Sequence, residues 1–385
     1  MWIPPLTPTE LDAYHRALTG SHVRTTEVYL LDLDGRQIQD ISRRCLPGGQ
    51  VDCDAAQPIK RSASLSLLDP DCSLGLDDRS PYAAPVASNV QIQIWDCTWV
   101  EALDRWVRVP VITGPIDKVE RPDDGAELKV TILDRATLGT DPRDNGAQLF
   151  WPAGTRKTTV IRDVAQQVIG ETRLSIPDLI DTAAWDHRLG QHGHVPWEIM
   201  RTMADSLAMR LFYDAEGTLR LERWDAQHAW TFTTGTGGSL LTHPSRSLDS
   251  IKRASTVRVL GAEANGAQLV GWAHLPAGHP LSAESSPIGG IPWDTLKTVE
   301  DTQLLTQADV DRRAVEELDK ANGLSSQIAF DALPIPFLDA GDLVTVDTGV
   351  WRASFRLERF SLSLDPGGRM SISQQKIVTS WRHRI

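Results

Sequence analysis

The chain has 385 residues, 41% hydrophobic and 23% charged, the balance of a globular protein long enough for about two to four domains. Lys+Arg of 39 against Asp+Glu of 51 leaves a net charge of −12, which argues against a general nucleic-acid binder, since phosphate attraction needs a positive surface. No apolar run approaches the roughly 20 residues that span a bilayer, and Met1-Trp-Ile-Pro-Pro-Leu lacks the basic region and apolar core of a signal peptide, so folding in a cytoplasm is expected.

Thr7-Pro-Thr-Glu10 is a capping box with Pro at the first helical position. Leu11, His15 and Leu18 then share a face and Gly20 offers a stop, which predicts a short helix docked on the first β-domain or on a neighbour. From Thr25 to Asp134 the pattern is β, with short alternating strands broken by Gly, Pro and Asp turns, the pattern of a small barrel or sandwich. Pro70, Pro81 and Pro85 mark a long loop between Leu68 and Val90. After Thr159 the spacing of Val160, Val164 and Val168 predicts a helix ended by Gly170.

A second helix opens at Pro196 with Trp197, Met200, Ala204, Leu207 and Leu211 on one face. It runs into Leu211-Phe-Tyr-Asp, a turn at Ala215-Glu-Gly217 and Thr218-Leu-Arg-Leu-Glu222, which reads as a hairpin. β character resumes at Lys252–Leu260 and Gln268–Leu275, and the Gly, Pro and Ser content from Pro276 to Pro292 predicts an exposed loop. Thr306 with Asp309 caps a third helix whose buried stripe is Val310, Ala314 and Leu318, with a staple from Leu305 to Val310 and a stop at Gly323.

The end of the chain rhymes with its first third. Trp106-Val-Arg-Val-Pro-Val-Ile-Thr-Gly-Pro-Ile-Asp-Lys-Val-Glu-Arg is followed by the turn Pro122-Asp-Asp-Gly125 and then Leu128-Lys-Val-Thr-Ile-Leu-Asp134. Trp351-Arg-Ala-Ser-Phe-Arg-Leu-Glu-Arg-Phe-Ser-Leu-Ser-Leu-Asp365 is followed by Pro366-Gly-Gly368 and Arg369-Met-Ser-Ile-Ser373. Each copy follows an alternating strand, Val90–Trp95 or Leu343–Asp347. The pattern predicts two similar β-domains around an α+β segment, with Val107–Val109 and Arg352–Phe355 in equivalent places. The expected fold class is α+β, mainly β. The expected division is 1–145 for a first β-barrel with its leading helix, 146–245 for an α+β domain, and 246–385 for a second barrel carrying an insertion at about 276–323.

With these elements in place, the order barrel, α+β domain, barrel resembles the hub proteins of phage tail tips and baseplates, related to the base of type VI secretion spikes. The resemblance rests on Ala340-Gly-Asp-Leu-Val-Thr-Val before a Trp-containing hairpin, and on Pro196-Trp-Glu-Ile-Met…Leu-Phe-Tyr-Asp…Gly217-Thr-Leu. It spans most of residues 20 to 380. It implies a homotrimer whose two barrels per chain make a pseudo-sixfold ring at the end of the tail tube. It further implies a virion location, with partners in the tail tube or distal tail ring, a fibre or spike, the tape measure protein, and DNA in transit through the lumen.

The candidates for chemistry are few. His187, His192 and His194 with Asp186 hold metal-ligand types, but Gly193 and the missing helical spacing make that stretch read as a surface loop. Thr234-Gly-Thr-Gly-Gly238 lacks the Lys of a phosphate loop and reads as a turn, as do Asp77-Asp78 and Asp123-Asp124. No Gly-x-Ser-x-Gly elbow is present. Cys45, Cys53, Cys72 and Cys97 match no metal spacing and read as reduced thiols, a Cys45–Cys53 bridge being the alternative. No catalytic, cofactor or metal residue is therefore expected, and no enzyme. Thirteen Trp suit buried interfaces or sugar stacking, and the tail Lys376…Trp381-Arg-His-Arg384 suits an acidic neighbour or a frayed end. The competing classes are a tail-associated wall hydrolase and a carbohydrate-binding module.

Overall fold

The computed structural model describes residues 4–74, 76, 90–122, 125–140, 149–183, 186–189, 195–223, 228–249, 254–264, 267–279, 282–285, 291–322 and 325–373. The leading helix α1 (Pro8–Thr19) starts where its capping box sets it: the Glu10 carboxylate accepts from the Thr7 amide at 2.8 Å while the Thr7 hydroxyl accepts from the Glu10 amide at 3.4 Å. It buries Ala13, Tyr14 and Leu18 against the first sheet.

Seven strands come next: β1 (Arg24–Asp32), β2 (Gln37–Asp40), β3 (Cys45–Asp54), β4 (Arg61–Leu68), β5 (Val90–Val100), β6 (Arg105–Glu120) and β7 (Glu127–Leu133). Strand β6 serves two partners. Its first part, from Arg105 to Pro115, pairs with β5, and its last part, from Ile116 to Glu120, pairs with β7. The change of partner needs Gly114, because a Cβ there would sit 1.8 Å from the Leu133 carbonyl oxygen. Bulges on either side of it sharpen the bend.

The middle of the chain holds α2 (Thr137–Thr140), β8 (Leu149–Trp151), α3 (Lys157–Val164), β9 (Leu174–Ser175), β10 (His187–Leu189), α4 (Pro196–Ser206), β11 (Arg210–Tyr213) and β12 (Leu219–Glu222). Helix α3 begins two residues before Thr159, and a wider turn over Ala165–Ile169 carries it to the left-handed Gly170. Trp197, Met200, Met203 and Ala204 face Val160, Ile161 and Val164 in a separate core. Leu211 lies in the hairpin strand rather than on the stripe of α4.

The last third contains β13 (His228–Thr233), β14 (Ser245–Asp249), β15 (Thr256–Ala264), β16 (Ala267–His274), β17 (Leu296–Glu300), α5 (Gln307–Asn322), β18 (Ser325–Ala332), β19 (Leu343–Asp347), β20 (Arg352–Arg356), β21 (Arg359–Ser363) and β22 (Met370–Ile372). The predicted capping bond is present: the Asp309 amide donates to the Thr306 hydroxyl at 3.2 Å. Val310, Ala314 and Leu318 pack on Val257 and Val259 of a three-stranded sheet ordered β16-β15-β17, a third core.

Eleven strands form one antiparallel sheet, ordered β14-β18-β22-β21-β3-β4-β7-β6-β5-β1-β2, while β13, β19 and β20 form a separate three-stranded sheet in which β13 runs parallel to β19. Residues from both ends of the chain, among them Val28, Ile92, Ile112, Phe232, Ile328, Phe355 and Leu362, share one core. Mainly β architecture with few helices therefore holds, but the sheet is open: among the described residues no pairing joins β2 to β14 into a barrel. Val107–Val109 lie in the β5–β6 hairpin and Arg352–Phe355 in the β19–β20 hairpin. Among the described residues no helix is long and apolar enough to cross a membrane.

Candidate functional site

The feature with the densest polar construction is the seam where the last third of the chain meets the first. Strand β21 adds to the edge of β3, from Arg359 opposite Asp54 to Ser363 opposite Gln50. The Arg359 guanidinium reaches the Asp54 carboxylate at 2.9 Å, and the Ser361 hydroxyl donates to Asp52 in the same row. Past the strand, the Leu364 amide donates to the Gly49 carbonyl at 2.9 Å and the Gly48 amide donates to the Asp365 carboxylate at 2.8 Å.

Arg24 fastens the seam from the other side. Its Nε donates to Asp96 at 2.6 Å, and its two terminal nitrogens donate to the carbonyls of Asp365 at 2.8 Å and Ser363 at 2.7 Å. Arg24 is 4% exposed and Asp96 fully buried, so the pair has traded water for protein partners and depends on them. Thr26 adds a bond to the Leu364 carbonyl at 2.8 Å.

A second buried charge cluster joins three segments. The Asp339 carboxylate takes Lys60 at 2.7 Å and Arg61 at 2.6 Å, and Arg61 also donates to the Tyr213 carbonyl at 2.7 Å. The two cations hold the Asp339 carboxyl far below the usual range against the opposing effect of burial. Asp134, which accepts from the Arg61 amide at 2.8 Å and the Ala136 amide at 2.9 Å, is pushed by burial up to about 6. Beside this cluster His15 of α1 stacks on Phe337 at 5.3 Å and meets the edge of Trp230 at 5.2 Å, tying the leading helix to the last third.

The residues singled out for chemistry do not converge. His187 lies in β10 opposite Trp151, burial holds its imidazole below the ordinary value, and Asp186 is occupied by the Ala153 amide at 2.8 Å. His192, His194, Asp77-Asp78, Asp123-Asp124 and the tail from 374 lie outside the described residues. Thr234–Gly238 is a turn closed by the Gly238 amide on the Gly235 carbonyl at 2.9 Å, with Gly235 and Gly237 at positive φ. All four cysteines are free thiols, and burial pushes Cys45, Cys53 and Cys97 up to about 12. Among the described residues no group of three His, Cys, Asp or Glu could hold a metal. A groove of about 720 Å³ between α4 and α5 is lined by residues such as Leu179, Leu211, Arg201 and Arg313 but by no His or Cys.

The seam residues Arg24, Arg61, Asp96 and Asp339 carry no local sequence signal, because their partners lie far away along the chain. The one hint is Lys60-Arg61 at the head of an alternating strand, two adjacent cations at a position that the fold buries.

No family model and no curated protein matches the chain. Solved structures do. A tail protein from Neisseria meningitidis MC58 aligns over 91% of this chain and 96% of its own, with a TM-score of 0.60 and 14% identity. The 43 kDa tail protein of prophage MuSo2 from Shewanella oneidensis aligns over 91% and 98%, with 0.59 and 14%. The Francisella PdpA-VgrG complex aligns over 92% of this chain and 53% of that chain, with 0.50 and 9%. The chain has the fold shared by these two tail proteins and the PdpA-VgrG complex.

Proposed function

We propose that the chain is a structural hub protein of a bacteriophage tail, at the tail tip or baseplate, and not an enzyme. The observation that carries the reading is the seam itself. The run β3-β4-β7-β6 and the run β14-β18-β22-β21 have the same sequence of pairings, and the second run joins the first edge to edge through β21 and β3. In each run a hairpin precedes the last strand: β5 pairs with the first part of β6, whose end pairs with β7, and β19 pairs with β20 just before β21, which pairs with β22. Two similar barrel-forming units per chain, 1–145 and 246–385 around the segment 146–245, suit a homotrimer that presents six units to a sixfold tail tube. The fold likeness to phage tail proteins supports the same reading.

In this reading the ring contacts the tube or distal tail ring on one side and a fibre, spike or tape measure protein on the other, and DNA passes through its lumen. The net charge of −12 suits an acidic or neutral lumen wall, over which phosphates slide rather than bind. Native mass spectrometry tests the assembly. The expected species is a trimer of about 128 kDa, three chains of 42.5 kDa, with six-lobed averages by electron microscopy. A stable monomer bound to no tail component would overturn the reading. Release of fragments from peptidoglycan would instead favour the hydrolase, and retention on immobilised glycan the carbohydrate module.

A further inference from the structure

The groove between α4 and α5 lies where three separately packed cores meet. Its floor includes Leu179, Leu207 and Leu211, half-buried residues that pack on the middle core. One side is the turn at Ala55, which packs on the core of the large sheet, and the other is α5, whose apolar stripe belongs to the third core. Arg313 of α5 reaches across to the Asp205 carbonyl of α4 at 3.2 Å. Walls that belong to different units can part and close on an occupant, and ligand sites favour such junctions. A volume of about 720 Å³ is that of a site for a few side chains rather than for a whole domain.

Charge marks the occupant. The chain carries −12 overall, yet this lining holds six cations against four carboxylates. Lys60 is spent on the buried Asp339, but the cations of the rim are loosely held. Arg201 stands 3.7 Å from Asp205 with both side chains 55% exposed, a pair that exchanges for a new carboxylate at little cost. Arg223 is exposed on the same rim, and among the described residues no ion pair takes it up. Arg312 is exposed on the facing wall, its partner Asp309 lying in its own helix. A leucine floor between guanidinium rims matches a segment with an apolar side chain at its centre and carboxylates on either side. Nucleic acid fits poorly, because Asp205, Glu316 and Asp319 interrupt the rim and a run of phosphates demands continuous positive surface.

We propose that this groove docks a short acidic segment of a partner protein, its apolar side chain on Leu179, Leu207 and Leu211 and its carboxylates on Arg201, Arg223 and Arg312. The site goes beyond the hub reading and does not depend on the number of copies.

Fluorescence anisotropy on the full-length protein tests the groove with a defined probe, a fluorescein-labelled synthetic peptide with Leu-Phe at its centre and Glu on both sides. The expected result is saturable binding that weakens as salt rises, about tenfold weaker with Ser in place of Leu-Phe and absent with Lys in place of Glu. Arg201→Glu combined with Arg223→Glu should weaken binding about tenfold or more at an unchanged melting temperature, since both side chains are exposed. Arg201→Gln with Arg223→Gln, which adds no carboxylate to the fold, should fall between that variant and the parent. A benzophenone beside the peptide's Leu should crosslink within residues 207–211. Failure of the Glu peptide to bind the parent, equal binding of the Lys peptide, undiminished binding by the double reversal, or a crosslink elsewhere overturns the proposal. Preferential binding of an oligothymidylate overturns it in favour of a nucleic-acid site. A native mass that changes in the double reversal without peptide overturns it in favour of a second copy of this chain in the groove. A trimer of the parent by native mass stands or falls independently of the peptide, so the hub reading and the groove fail separately.

Discussion

Replacing Arg24 by Ala is expected to loosen the seam more than any other single surface-distant change. The substitution removes the donors to Asp96, to the Asp365 carbonyl and to the Ser363 carbonyl. It leaves the Asp96 carboxylate buried without its cation. Removing one partner of a buried, hydrogen-bonded ion pair costs about 3–5 kcal/mol, a large part of the roughly 5–15 kcal/mol by which native proteins are stable. Urea unfolding followed by Trp fluorescence would read the loss as a lower midpoint at unchanged slope. A cycle with Asp96→Asn isolates the pair: the double variant should cost less than the two singles together, since the second change removes the stranded charge. Hydrogen exchange should show the segment Ser363–Asp365 losing protection before β5 does. A cost under about 1 kcal/mol for Arg24→Ala, or singles that add without coupling, would refute the claim that this ion pair holds the two ends together.

Three further outcomes are expected. Gly114→Ala should abolish soluble protein, because its methyl would lie 1.8 Å from the Leu133 oxygen and 2.9 Å from the Asp134 Cα; normal yield and melting would show that β6 need not bend there. Asp134, raised in the folded state to about 6, favours folding at acid pH and withdraws that contribution as pH climbs from the ordinary carboxylate value toward about 6; Asp134→Asn should flatten this part of the stability profile, and an unchanged slope would exclude the residue. His15 shows the opposite sign: burial lowers its imidazole against the pull of Asp12, so stability present at neutral pH is lost as the pH falls through its range. His15→Phe, keeping the stack on Phe337, should melt less differently at pH 5 and pH 8 than the parent.

Local rules carried the helices. The capping box of Thr7 with Glu10 and the cap of the Thr306 hydroxyl on the Asp309 amide sit where the sequence places them, because a cap is decided by residues three apart. The hairpins flanking Trp106 and Trp351 were also legible, each written in adjacent strands. The seam was not. Nothing near Asp52 shows that Ser361 will lie opposite it, and alternation looks the same in an edge strand and in a strand covered by a segment far along the chain. The parallel pairing of β13 with β19 and of β15 with β17 leaves no local mark in the sequence for the same reason. Alternation suggested closed barrels, but it reports which face is buried, not whether the first and last strands of a sheet meet.

The pairing of β3 with β21 also sets a clock. Arg359 and Asp54, joined across the seam, are 305 residues apart in the chain. At synthesis rates of about 5–20 residues per second, β3 waits roughly 15–60 seconds on the ribosome before its neighbour is made. Through that interval Val51 and Cys53 belong to an unfinished layer, and the first β-segment completes its core only after the middle segment and the insertion have been translated. Emergence of β21 and β22, rather than of the first segment, is then the moment at which this protein first acquires its native sheet.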